Sequence, residues 1–73
     1  MSIADELNLK PQTRRILAHL KEGRAITPLK ARAVYGVESL SSRISEIVSA
    51  GYPVARIIDK DESGKRYAVY ALV

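Results

Sequence analysis

Between Thr27 and Gly51 the chain carries two helix starts and two helix stops, which leaves room only for two short helices joined by a tight turn. Thr27 is a good N-cap, and Pro28 suits the first helical position, where its missing N–H costs nothing. Leu29 and Ala33 follow at i, i+4 spacing, with Ala31 and Val34 beside them. Tyr35-Gly36 ends this helix, because Gly36 can take the left-handed conformation of a C-terminal stop. Val37 reads as a buried turn residue, and Glu38 or Ser39 opens the second helix, over roughly 39–50. Leu40, Ile44, Ile47 and Val48 have the spacing of one buried face. At about 100° per residue, Ser42, Ser45, Glu46 and Ser49 fall on the opposite side, with Ser41 and Arg43 on the two shoulders. Such an outer face, with small hydroxyls and few bulky charges, can approach a flat or grooved surface closely.

The 73 residues make one domain at most, and 47% hydrophobic with 27% charged residues is a globular composition. Four tyrosines are the only aromatic residues, so the core must be built mainly from Ile, Leu, Val and Ala. Cysteine is absent, which removes disulfides, thiolate zinc sites and cysteine nucleophiles together. No apolar run approaches the roughly 20 residues that span a bilayer, and the acidic start MSIADELN is unlike a signal peptide. A cytoplasmic location, with no membrane partner, is the expectation. Net charge is +4, but its distribution says more than its total. From Lys10 to Arg32 seven bases face one acid, Glu22, and such a block suits a polyanion, most commonly nucleic acid.

Residues 1–9 form either an extra amphipathic turn, with Ile3 and Leu7 inside, or a loose arm; residues 10–73 then make a single domain. Pro11 opens a helix through about Glu22, with Ile16, Leu17 and Leu20 as its stripe, Thr13 near the same side and Arg14, Arg15 and Lys21 outward. His19 lacks the convergent partners of catalysis or metal binding and reads as a surface or boundary residue. Arg24-Ala25-Ile26 suits a short strand near Ile26. After Gly51, Tyr52-Pro53 forces extended chain. Val54–Asp59 and Arg66–Val73 read as strands around the polar loop DKDESGK, hence an antiparallel hairpin. Such a hairpin must pack on the helices, with Ile57, Tyr70 and Leu72 expected on the packed face. The expected fold is α+β: three helices followed by a two-stranded wing, the order of a winged helix-turn-helix with its recognition helix at 39–50.

With these residues in place, the chain resembles the small helix-turn-helix domains common in phage and prophage proteins. The shared pattern includes Gln12, Ile16-Leu17, Leu20, Gly23, Ile26-Thr27, Ala31 and Tyr35-Gly36-Val37. It continues through Leu40-Ser41-Ser42-Arg43-Ile44 and Gly51-Tyr52-Pro53-Val54 to Gly64-Lys65-Arg66-Tyr67-Ala68-Val69-Tyr70-Ala71-Leu72. Most of these are core or turn positions, so the resemblance bears on fold more than on function. It implies DNA binding, as a transcriptional regulator or a recombination accessory factor.

No constellation supports catalysis, a cofactor or a metal, so a non-enzymatic role without a small-molecule effector is expected. Single punctuation glycines make no phosphate loop, and DKDESG lacks the ligand series of a calcium site. The expected partner is double-stranded DNA. Ser39, Ser41, Ser42 and Ser45 can donate to phosphates or base edges at close approach. Arg43 either pairs with guanine or holds the helix through a salt bridge. Thr27 and Lys30 would touch one backbone, Arg14 a flanking phosphate, and Lys65 and Arg66 would be the wing's contribution. The competing reading is a protein-binding module, because Asp59, Asp61 and Glu62 offset the bases of the wing. A regulator of 73 residues would be expected to dimerise through its own surface, bind cooperatively or borrow a partner.

Overall fold

The computed structural model describes residues 9–73. The expected N-terminal arm or turn therefore lies outside the described residues, apart from Leu9, which is half-buried against the core. Pro11 begins α1 (Pro11–Lys21), and Glu22 caps its end. Thr27 starts α2 (Pro28–Tyr35) as expected: its hydroxyl accepts from the Lys30 N–H at 3.2 Å. Gly36 ends α2 at φ 66°, and the turn then buries Val37. That positive φ is what a side chain would resist and glycine allows. The next helix, α3, spans Leu40–Ser49.

Ile16, Leu17 and Leu20 of α1 meet Ile26, Ala31, Val37, Leu40, Ile44 and Ile47 in one core. Two expectations fail on the helices. Leu29 and Val34 of α2 are exposed, Leu29 to 74%, and Ala33 is exposed as well. An eight-residue helix turns only a narrow arc inward, and Ala31 occupies it while Leu29 and Ala33 point the other way. On α3 the buried arc is rotated toward Arg43: the Arg43 side chain is only 18% exposed, whereas Val48, expected inside, is 49% exposed. The cause is α1, which engages the Arg43 and Glu46 side of α3 through Thr13 and Lys10.

Strands β1 (Val54–Lys60) and β2 (Arg66–Leu72) pair antiparallel, from Val54 opposite Leu72 to Lys60 opposite Arg66. The expected short strand near Ile26 is a single bridge. The Ile26 N–H donates to the Tyr70 carbonyl at 2.8 Å, and the Tyr70 N–H returns to Ile26 at 2.9 Å. Tyr70 is thereby drawn into the core with Leu72 packed beside it. Ile57 does not join them, contrary to expectation. It lies opposite Val69, one position out of phase with Tyr70, so the pleat turns it to the outer face, where it is 58% exposed.

Candidate nucleic-acid interface

The outer face of α3 is a run of hydroxyls. Ser39, Ser41, Ser42, Ser45 and Ser49 are all exposed, as the helical spacing requires once Leu40, Ile44 and Ile47 face inward. Ser39 occupies the N-cap position without capping the backbone; its hydroxyl hydrogen-bonds that of Ser42 at 2.8 Å. The face is small, polar and uncharged at its centre.

Its charged flank is built by α1. Glu46 was expected on the outer side, but it is half-buried at the α1–α3 seam and takes three partners. The Thr13 hydroxyl donates to its Oε1, Arg43 Nε stands 3.0 Å from the same oxygen, and Lys10 Nζ stands 3.6 Å from Oε2. Thr13 is fully buried, so this hydrogen bond satisfies a hydroxyl that has no access to water. The Thr13 bond and then the Arg43 and Lys10 charges hold the Glu46 carboxyl below the usual carboxylate range. Of the two readings of Arg43, the structure displays the salt bridge: Nε sits against Glu46, leaving the terminal nitrogens as the guanidinium's bidentate edge. Arg14 lies one turn beyond Lys10, exposed on the same flank.

A second cluster joins the start of α2 to the wing. Thr27, Arg32, Lys65, Arg66 and Tyr67 line one groove, while Lys30 is exposed on the following turn of α2. The Thr27 hydroxyl accepts in its cap and keeps its own O–H as a donor. Asp61 orders the loop between the strands: its Oδ1 accepts from the Ser63 N–H at 2.9 Å, the Ser63 hydroxyl at 2.6 Å and the Lys65 N–H at 3.0 Å. Those bonds, the Ser63 hydroxyl foremost, hold its carboxyl below the ordinary value. Asp61 also lines that groove, so its charge stands beside Lys65 and Arg66 while its Oδ1 orders the loop. Asp59 lies by Tyr67, and its charge pushes the Tyr67 hydroxyl pKa up.

The structure therefore brings Ser39, Ser41, Ser42 and Ser45 onto one face, places Arg43 and Arg14 on its α1 side, and gathers Thr27, Lys65 and Arg66 in the separate groove. Sequence reasoning missed Thr13, Glu46 and Lys10 as the support of that face. The Arg43–Glu46 spacing of i, i+3 was a readable signal; the Thr13 contact, across 33 positions, was not. It also misplaced His19, which is buried rather than at the boundary. One ring nitrogen meets the Tyr35 hydroxyl at 2.7 Å and the other the Ala25 carbonyl at 3.1 Å. The carbonyl only accepts, so Nε2–H donates to it and Nδ1 is left to accept from the Tyr35 hydroxyl. Both polar ends are satisfied, tying α1 to α2. Among the described residues no cluster of acids and histidine could hold a metal ion, and no helix is long and apolar enough to cross a membrane.

A helix, a capped second helix, an αL glycine turn, a hydroxyl-faced third helix and a paired wing together define a helix-turn-helix with a wing. The chain belongs to the winged helix-turn-helix domain family, whose pattern matches residues 11–73. No curated protein and no solved structure matches it. The family points to nucleic-acid binding.

Proposed function

We propose that this chain binds double-stranded DNA with α3 in the major groove, acting as a transcriptional regulator or recombination accessory protein. The observation that carries the reading is the outer face of α3: exposed hydroxyls without bulk, bordered by Lys10, Arg14 and the Glu46-braced Arg43. Ten residues of helix are about 15 Å long and fit a groove about 12 Å wide. Ser39, Ser41, Ser42 and Ser45 donate to phosphates or base edges there, and Arg43 presents its terminal nitrogens to a guanine. Thr27, Lys30, Lys65 and Arg66 reach the backbone from the α2–wing side.

Fluorescence anisotropy with a random 30-base-pair duplex tests it, comparing the chain with the double variant Lys30→Ala, Arg43→Ala. If about six phosphates are neutralised, affinity falls roughly 10³-fold between about 50 and 200 mM salt. Absence of binding at the lower salt, from a folded chain, would send the search to a protein partner. That second reading has its own support in the exposed Leu29 and Val34 of α2, apolar residues outside the hydroxyl face.

A further inference from the structure

We infer that two copies of this chain pair through β1, antiparallel, about a two-fold axis at Ile57. Tyr70 spends both its N–H and its carbonyl on Ile26, so it has none to give to Arg56, the residue opposite it on β1. Hydrogen-bonded and non-hydrogen-bonded pairs alternate along an antiparallel ladder. Ala55, Ile57 and Asp59 therefore bond to β2, and the N–H and carbonyl groups of Arg56 and Ile58 point away from it. No hydrogen bond reaches those groups among the described residues. Both faces of this edge are apolar at its middle, with Ile57 58% and Ile58 48% exposed. An open strand edge with apolar residues at its centre is a template for another strand.

The side chains choose the partner's register. Residues directly opposite each other must point to the same face, so self-pairing can shift only in steps that keep like-facing residues together. One such register sets Arg56 against Arg56 of the second copy, and another sets Arg56 against its Lys60, twice. Both place like charges directly opposite, which is unfavourable. Between them lies the register with Ile57 opposite Ile57, where Arg56 faces the second copy's Ile58, Ala55 its Asp59 and Val54 its Lys60. There each Arg56–Ile58 pair exchanges two hydrogen bonds using the outward groups of both strands. The bases at 56 and 60, which would discourage an indiscriminate strand, thus select one self-register. On the other side of β2, Ile26 occupies the middle of the edge and α2 packs beside the strand, so β1 is the edge left open along its length and assembly closes at two copies. Nothing in this pairing requires DNA.

Sedimentation equilibrium of the full chain tests it, with a monomer–dimer equilibrium and no larger species expected. Ile57→Lys sets like charges at the axis from a position exposed in the monomer; it should weaken the dimer about tenfold or more with unchanged circular dichroism. Ile58→Pro removes an outward N–H that β2 does not use and should also yield monomer. The chain is free of cysteine, so Ile57→Cys should cross-link to itself under mild oxidation, since opposed non-hydrogen-bonded positions stand about 4.5–5.5 Å apart at Cβ. Ile58→Cys, which faces Arg56 of the second copy, should not. A wild-type chain that stays monomeric at sub-millimolar concentration overturns the inference. So would oligomers beyond the dimer, a dimer indifferent to both Ile57→Lys and Ile58→Pro, or faster cross-linking through Ile58→Cys.

Discussion

The helical half and the hairpin hold themselves together in different ways. In the helical half, Ile16, Leu17, Leu20, Ile47 and the turn residue Val37 lose essentially all contact with solvent, and even the polar Thr13 and His19 are buried with partners. In the hairpin only Tyr70 is buried, and most of β1 is exposed. The helices specify their arrangement through side-chain packing, which is sensitive to shape and volume. The hairpin is specified by backbone pairing and by one anchored ring. Packing leaves little surface over, whereas a ladder always leaves an edge; the surface available for further association is therefore on the strands.

The strongest way to break this contrast is at the residue where the two halves meet. Tyr70→Ala should cost about 3–5 kcal/mol, read by urea unfolding, because it empties a core site and frees the hairpin. A loss well under this would mean that the hairpin is secured elsewhere. Next, His19→Ala should cost about 2 kcal/mol by leaving the Ala25 carbonyl and the Tyr35 hydroxyl without a partner in the helical half. Acid sharpens the comparison differently, since each region holds one carboxyl whose pKa is lowered. Glu46 and Asp61 are both held below their ordinary pKa in the folded chain. Their contribution is present above the ordinary carboxylate value and is lost as pH falls through the lowered ones. Melting temperature followed against pH should show that loss, and Glu46→Gln should shrink it; an unchanged acid limb would mean that the α1–α3 seam does not use this charge. The smallest effect belongs to the exposed apolar residues: Leu29→Gln should stay within about 0.5 kcal/mol.

Punctuation made the elements legible. Thr27-Pro28, Gly36 and Gly51-Tyr52-Pro53 each constrain the backbone locally, so the boundaries of α2, α3 and β1 follow from neighbouring residues alone. What escaped depends on partners far along the chain. Ile57 and Ile58 are chemically equivalent neighbours, and only the register inherited from the Ile26–Tyr70 bridge decides which one turns outward. Likewise His19 is polar in isolation and becomes a core residue only where Tyr35 and Ala25 complete it. Within the candidate interface, the serine face was visible from spacing, whereas the rotation of α3 that buries Arg43 and exposes Val48 is set by Thr13 on another helix.

The Ile26–Tyr70 bridge also bears on the order of events in folding. Among the described residues, the stretch before Asp61 holds three helices and every buried apolar residue except Tyr70. The missing one closes a loop of more than forty residues, a contact whose entropic cost falls due only when its last partner arrives. Until then Ile26 has no strand to join, and the helices are left with an open flank. Tyr70 must dock before the domain can seal, so this single long-range contact is the one that closes the helical half.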